Sequence, residues 1–409
     1  MNYAQAEKKL NKWNQAHLLK FYDELDKEGQ ERLLQSIADT DFSCLKAREA
    51  MNDTTKKKGE YAPLSAMTLE QITQNAARYE EIGLAAIKEG KVGAVLLAGG
   101  MGTRLGSDGP KGVYDIGETK PVYIFQRIIE NTLEVVNKAG SMIPFFVMTS
   151  DVNHDTTVAF FEEHQYFGYD KSYIYFFKQD MAPASDYDGN VFLEAKDKVA
   201  ASPNGNGGWF TSMLKAGLDT VLAKRGLEWL NVFAVDNVLQ RIADPVFTGA
   251  VIDRDVQVGA KVVAKASPDE KVGVMCLEGN RPSIVEYYEL TQEMMDEKNA
   301  DGKPAYNYGV ILNYLFQVEA LYNCMEKKLQ LHVVEKKIPY VDDDGNLVKP
   351  EKPNGYKYEQ LVLDMIHEMK SCLPFEVERE KEFAPIKNKT GVDSVDSARE
   401  LLKKNGYEL

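Results

Sequence analysis

The period of the hydrophobic positions changes along the chain, and each change marks a region. From Met1 to about Lys58, Leu10, Trp13, Leu18, Phe21 and Leu25 recur at helical spacing, and Leu33, Leu34 and Ile37 continue the stripe after Gly29. These positions predict amphipathic helices. A further helix is predicted from Thr68, whose side chain makes a capping box with Gln71, to near Gly90. The continuous apolar run Val92 to Ala98 then has the length and make-up of a buried strand. From there to about Thr248 the patterns alternate. A helix is predicted from near Pro121 to about Lys138, stopped by Gly140, then a strand Ile143 to Met148 and a helix Asp155 to His164. A strand Tyr173 to Phe177, a helix Trp209 to Lys224 and a strand Asn231 to Val235 follow. Strand and helix in turn predict an α/β fold: a mainly parallel sheet with helices on both faces and ligands at the carboxyl ends of strands.

Beyond Ala250 the period shortens. Gln257 to Lys265, Gly273 to Leu277, Ser283 to Tyr288 and Tyr306 to Ile311 read as strands that extend the sheet, and Asn313 to Lys327 as a helix. After Leu331 come a hairpin turning at Asp344-Gly345, an amphipathic helix Tyr356 to Met369, a short strand Phe375 to Arg379 and a loop Phe383 to Asn388. The expected organisation is a helical N-terminal region (1–90), a central α/β domain (91–330) and a small α+β C-terminal region (331–409).

The strand Val92 to Ala98 empties into a loop holding Gly99, Gly100, Gly102, Gly106 and Gly109, with Arg104 and Lys111 among them. Glycines let the backbone approach phosphate oxygens, because no Cβ stands in the way and positive φ costs little. This is a phosphate loop with two cations. It is not the dinucleotide fingerprint, since Leu105 stands where the third glycine belongs, and not Walker A, since Lys111 lies between Pro110 and Gly112.

Other candidates sit at predicted strand ends. Gln179 follows YIYFF and can match a uracil edge with an amide donor and acceptor, with Gly205 of NGNGG offering backbone for a flat base to lie against. A surface glutamine and a plain turn are equally open readings. Asp236, after NVFAV, suits Mg2+, an ion that takes one or two carboxylates plus phosphate oxygens; the competing reading is a turn cap. Glu286 is an acidic residue in a β-forming stretch, able to accept from sugar hydroxyls. Asp342-Asp343-Asp344 invites comparison with a D-x-D metal site, but acidic residues before glycine in a hairpin are ordinary turn chemistry.

Net charge is −14, which argues against nucleic-acid and anionic-membrane partners, so a phosphate-bearing ligand must be held by local cations such as Lys357 and Lys387. The four cysteines lie far apart with no C-x-x-C pair, which predicts a reducing, cytoplasmic setting. No apolar run approaches the ~20 residues of a membrane span.

LAGGMGTRLG, PKG, SPNGNGG, FAVDN, GAKVV, VVEKKIPYVD, KPEKPNGYKYE and EFAPIKN occur in this order. Together they resemble the eukaryotic-type UDP-sugar pyrophosphorylases, and most of all the UDP-N-acetylhexosamine branch. The resemblance covers roughly Ala94 to Asn388. It implies a Rossmann-like, GT-A-like nucleotidyltransferase domain with a mixed, mainly parallel sheet, flanked by smaller regions. It implies uridylyl transfer from UTP to a sugar 1-phosphate, giving UDP-sugar and pyrophosphate, with Mg2+ or alternatively Mn2+. By position, it assigns Leu97, Ala98, Gly99 and Gly100 to the nucleotide, Arg104 and Lys111 to the phosphates, Gln179 and Gly205 to uracil, Asp236 to the metal and Lys357 to the nucleotide phosphates. Asn206, Gly273, Glu286 and Asn307 would face the sugar, and Lys387 its phosphate.

The implied chemistry requires positioning and positive charge rather than a general base. Only five histidines are present, with no HExxH or nucleophile elbow. One departure stands out. The family reads Asn-x-x-Asn-x-x-Asn where this chain has NYGVILNYLF, which keeps Asn307 and Asn313 but places Val310 in the middle, where the family's asparagine lies in the sugar pocket. N-acetylglucosamine 1-phosphate is the leading substrate, and glucose 1-phosphate or a broad sugar range the alternative. A catalytically silent UDP-sugar-binding protein is the reading from another class.

Overall fold

The structure, a computed structural model, describes residues 1–51, 59–300, 302–325, 329 and 331–409. Contacts divide the chain into two compact units: Met1–Lys57, Gln179–Gly208 and Leu329–Val362 in one, and Lys58–Lys178, Trp209–Lys328 and Leu363–Leu409 in the other. Neither unit is continuous in sequence.

The second and larger unit is built on one sheet. Its strands are β1 (Tyr61–Pro63), β2 (Val92–Leu97), β3 (Phe145–Thr149), β4 (Ile174–Lys178), β5 (Trp229–Ala234), β6 (Val258–Ala264), β7 (Val274–Glu278), β8 (Arg281–Val285), β9 (Tyr308–Gln317) and β10 (Cys372–Glu376). They run in the order β1-β7-β9-β5-β2-β3-β4, with β8 on β7 and β6 joining β9 to β10. The run β5-β2-β3-β4 is parallel, with Ala94 between Asn231 and Phe145. Every residue of β2 and β3 is buried, which is why they read as continuous apolar runs rather than alternations. β6 to β9 add antiparallel neighbours on the β5 side, as their shorter period predicts, and β10 joins β6 in parallel.

Helix ends follow local chemistry. Thr68 caps Leu69–Lys88 and makes the expected box with Gln71. Ile124–Ala139 stops at Gly140, which is left-handed at φ 66. Asp244 caps Pro245–Asp253 with proline in the first turn, where its missing N–H is harmless. Leu69–Lys88 and Pro245–Asp253 cross on two glycines: a Cβ on Gly83 would lie 1.9 Å from Pro245 O, and one on Gly249 1.7 Å from Tyr79 O.

Three sequence expectations are corrected. Trp209 to Lys224 is two helices, Trp209–Lys215 and Asp219–Arg225, because Gly217 turns left-handed at φ 76 between them. Asn313 does not start a helix; β9 continues through it to Gln317, since Asn313 to Gln317 pair with β5, and the helix is Val318–Met325. Residues 326 and 327 of that predicted helix lie outside the described residues. Tyr356 to Met369 is not one helix: Gly355–Glu359 is a strand on His332–Lys336, and the helix is Val362–Glu368.

In the other unit, Ala6, Leu10, Leu18, Phe21, Leu33 and Ile37 of the N-terminal helices pack with Val191, Leu193, Val199 and Val341. The segments Asp186 to Asn190, DYDGN, and Asp342 to Asn346, DDDGN, form the same turn. In each the first aspartate's Oδ1 accepts two N–H groups, from residues two and four further on. The acidic run is turn chemistry, as its position before Gly345 predicts.

Alanine is ordinarily favoured over glycine in a helix by about 1 kcal/mol. At Gly249 the clash with a backbone oxygen outweighs that gain, and Gly249→Ala is expected to cost about 2–3 kcal/mol in urea unfolding. A variant as stable as the parent would contradict the close crossing.

Candidate active site

The glycine loop leaves β2 at its carboxyl end and closes on itself. Gly102 N donates to Gly109 O at 2.9 Å and Lys111 N to Gly100 O at 3.1 Å, while Gly106 turns at φ 77. Its root is held by Asn153, a fully buried side chain just past β3. Asn153 Nδ2 donates to Ala98 O at 2.9 Å, and its Oδ1 accepts from Ser150 N at 2.8 Å. Among the described residues, the amides of Gly99 and Gly100 have no hydrogen-bond partner, and a Cβ on Gly100 would meet nothing within 4 Å. The loop therefore keeps two unpaired amide donors and leaves room beside Gly100 for a ligand, as an anion-binding loop requires. Leu97 and Ala98 contribute buried backbone: Leu97 O accepts from Val235 N at 3.2 Å, and Ala98 N donates to Met148 O at 2.8 Å.

The charges gather next to it. Lys111 Nζ lies 3.8 Å from Asp236 Oδ2, which sits just past β5. Burial pushes the Lys111 ammonium below its ordinary pKa; Asp236 opposes that, and the nearby charges of Arg104 and Lys387 push it down further. Burial and the neighbouring cations both disfavour this charge, and a bound phosphate would offset them. Asp236 is a lone carboxylate, and among the described residues no three His, Cys, Asp or Glu side chains gather as a cage. That donor set fits Mg2+ carried in on phosphate oxygens, the ion's ordinary mode, and not an all-protein metal site.

Lys387 arrives on the segment Glu382 to Asn388, which is laced to the turn after β5. Ile386 N donates to Asp236 O at 2.9 Å. Pro385 has no N–H to continue such a ladder, and the side chain of Asn237 bridges the gap: its Nδ2 donates to Glu382 O at 2.7 Å and its Oδ1 accepts from Ala384 N at 2.9 Å. Beneath, the buried Lys261 ammonium donates to Asp244 at 3.0 Å and to Glu382 at 2.5 Å.

Of the residues expected to face a sugar, the structure brings Gly273, Glu286 and Val310 together. From a Cβ built on Gly273, Val310 Cγ2 is 3.6 Å away and Glu286 Oε1 3.7 Å. Glu286 lies just beyond β8 rather than inside a strand as predicted. Asn307 precedes β9, its carbonyl accepting from Lys265 N at 2.8 Å. Asn313 is buried and engaged elsewhere, accepting from Asn231 Nδ2 at 2.8 Å and donating to Gln240 Oε1 at 3.3 Å.

In the other unit, Gln179 Nε2 donates to Gly205 O at 2.5 Å, so these two stand together. Gly205 is left-handed at φ 85, and a Cβ there would lie 2.1 Å from Gln360 O. Asn206 Oδ1 accepts from Val362 N at 3.0 Å. Lys357 lies in a strand opposite Val334; burial pushes its ammonium down, Glu359 raises it and Lys336 lowers it.

Sequence reasoning missed the supports: Asn153 under the glycine loop, Asn237 under Lys387, and Asp393, whose Oδ2 accepts from Lys387 Nζ at 2.9 Å. No spacing marks them, although the Asp236-Asn237 pair drew notice for its first member.

Residues 42–405 match the family described as UTP–glucose-1-phosphate uridylyltransferase. The chain is 38% identical to a UDP-N-acetylhexosamine pyrophosphorylase-like protein 1 of Mus musculus, covering 94% of this chain and 80% of that one. It is 35% identical to a UDP-N-acetylglucosamine pyrophosphorylase of Saccharomyces cerevisiae, covering 92% and 84%. Among solved structures, the uridine diphosphate N-acetylglucosamine pyrophosphorylase of Trypanosoma brucei, in complex with an inhibitor, superposes with a TM-score of 0.83 at 27% identity, over 97% of this chain and 83% of that one.

Two measurements test this geometry. Asn237→Ala leaves a buried carbonyl and a buried N–H unpartnered, so a loss of about 2–4 kcal/mol is expected in urea unfolding, and a loss under about 0.5 kcal/mol would contradict the bridge. Asp236→Asn removes the charge that raises Lys111, so the Lys111 ammonium, followed by NMR, should titrate at lower pH than in the parent. An unchanged titration would show that Asp236 does not act on it.

Proposed function

Since the chain belongs to the UTP–glucose-1-phosphate uridylyltransferase family, we propose that it makes UDP-sugar and pyrophosphate from UTP and a sugar 1-phosphate, chiefly N-acetylglucosamine 1-phosphate. The observation that carries this is the grouping of Asp236, Arg104 and Lys387 around Lys111, on the loop whose Gly99 and Gly100 amides are unpaired. We read the larger unit as a Rossmann-like, GT-A-like nucleotidyltransferase domain.

The chemistry asks little of the protein beyond placement. The phosphate oxygen of the sugar 1-phosphate is anionic near neutral pH. It forms a bond to the α-phosphorus of UTP while the bond from that phosphorus to the bridging oxygen breaks, and pyrophosphate leaves with the electron pair. No proton has to move, so no general base is needed. Gly99, Gly100, Arg104 and Lys111 hold the phosphates of UTP against the ends of β2 and β5, and Lys387 holds the phosphate of the sugar. Each brings positive charge to where negative charge develops, in a site partly shielded from water, where such charge acts most strongly. Asp236 would hold Mg2+, whose part when bound is to neutralise the triphosphate. Mn2+ suits the same oxygen donors. Within the larger unit, Leu97 and Ala98 line the nucleotide through backbone, and Gly273, Glu286 and Asn307 face the sugar.

Relatives named for N-acetylglucosamine or N-acetylhexosamine, at 32–38% identity, support the acetylated sugar over glucose. Val310 beside Gly273 and Glu286 offers methyl groups where an amide would offer hydrogen bonds. An apolar wall discriminates less sharply than one that pairs a polar group, so glucose 1-phosphate should be a slower substrate rather than a rejected one. The four cysteines are free, and no helix of the described residues is long and apolar enough to cross a membrane, which supports a cytoplasmic setting.

Pyrophosphate release from UTP and Mg2+, compared across N-acetylglucosamine 1-phosphate, N-acetylgalactosamine 1-phosphate, glucose 1-phosphate and galactose 1-phosphate, tests the proposal. The acetylated glucose derivative should turn over fastest, and Asp236→Ala should lower kcat at least about a hundredfold, as losing a group that stabilises the transition state does. Preference for glucose 1-phosphate would reverse the substrate assignment. No release with any sugar would leave a binding protein.

A further inference from the structure

Lys387 is held at both ends by one residue. Its ammonium donates to Asp393 Oδ2 at 2.9 Å, and the main-chain oxygen of the same aspartate accepts from Lys387 N at 2.7 Å and from Asn388 N at 3.0 Å. Asp393 does this in a left-handed conformation, φ 52. A residue with a Cβ adopts that conformation at a cost, and Asp and Asn tolerate it best. Its surroundings enforce it. Asn388 Nδ2 donates to Val392 O at 3.2 Å, Val395 N to Asn388 O at 3.1 Å, and Ser394, which caps the helix Val395–Lys404, donates from Oγ to Gly391 O at 2.6 Å. An over-determined, strained residue bonded to a charged side chain points to a functional constraint rather than to chance packing.

The tether answers a physical need. A lysine carries its charge on a flexible four-carbon stem, which left untethered would sample many directions. An ammonium has three donors. Giving one to Asp393 leaves two for a phosphate, and the lysine's rotamer freedom is already lost before the ligand arrives.

We propose that Asp393 is the positioning residue of the sugar-phosphate subsite, aiming Lys387 at the phosphate of the sugar 1-phosphate. The proposal rests on the reading of Lys387 as the cation for that phosphate. Asp393 itself touches no reacting atom. Its carboxylate also sets a limit, since a negative group beside a phosphate-binding lysine weakens raw attraction. The arrangement therefore trades some long-range pull for a fixed direction.

The test is steady-state kinetics of the full chain with Mg2+, varying UTP and N-acetylglucosamine 1-phosphate separately. The variants are Asp393→Asn, Asp393→Glu, Lys387→Ala, and the double Lys387→Ala/Asp393→Asn. Asp393→Asn should raise KM for the sugar phosphate about five- to tenfold, with KM for UTP and the unfolding midpoint nearly unchanged. Asp393→Glu should recover part of the loss. On Lys387→Ala, Asp393→Asn should add nothing, because its partner is already gone. An unchanged or lowered KM for the sugar phosphate in Asp393→Asn, with Lys387→Ala raising it, would overturn the proposal, the lowered value marking Asp393 as a competitor of the ligand. Equal effects on both substrates, or full additivity in the double variant, would overturn it too, as signs of a merely structural residue. If Lys387→Ala leaves the sugar-phosphate KM unaltered, the failure lies in the reading of Lys387, and Asp393 loses its role with it.

Discussion

Burial of the Lys111 ammonium beside Asp236, with Arg104 and Lys387 nearby, is the constraint around which the carboxyl ends of β2 and β5 are arranged. Three cations, one of them largely desolvated, are kept close enough for two of them to depress the third, with Asp236 as the carboxylate paired to Lys111. Nothing in the charges themselves favours this. The cost is met by rigidity: β2 and β5 pair in parallel across six residues, so the glycine loop and Asp236 leave the sheet side by side. Asn237 then fastens the Lys387 segment to the same turn, and Asp393 fastens the lysine itself. The supports are mostly neutral amides. Asn131, Asn153, Asn231, Asn237, Gln240 and Asn313 are all buried and hydrogen-bonded around the strand ends. Amides can donate and accept at once without bringing further charge, so they stiffen the region and leave its electrostatics to Arg104, Lys111, Asp236 and Lys387.

What the sequence makes legible is local. Val92–Leu97 reads as a buried strand because both its faces are covered, and Thr68 and Gly140 mark helix ends through chemistry that acts within a few residues. Arg104 and Lys111 are legible because they stand among the glycines of one loop, and Asp236 because it ends an apolar run. Tyr356 to Glu359 reads as helix because Tyr and charged residues fit either period; pairing with His332–Lys336, some twenty residues away, decides it as strand. Asn313 to Gln317 likewise become strand through β5, about eighty residues earlier in the chain. Tertiary pairing overrides propensity in both. The supports are hidden more deeply still, since Asn237 meets Ala384 across 147 positions. No window along the chain contains both partners.

This arrangement explains why the chain carries none of the motifs of covalent or acid–base catalysis and yet has the groups for group transfer. A reaction between two phosphates needs an anionic nucleophile, which the substrate supplies, and a leaving group already stable as an anion. The protein's share is to hold both phosphates in line against their mutual repulsion, the role proposed for the three cations and the loop amides.

The claim of a single direct displacement makes a stereochemical demand. UTP carrying a chiral α-thiophosphate, turned over with N-acetylglucosamine 1-phosphate, should give a UDP-sugar whose α-phosphorus is inverted, as one in-line attack requires. Retention of configuration would mean two displacements through a uridylylated side chain, and would contradict the account of a site that works by position and charge alone.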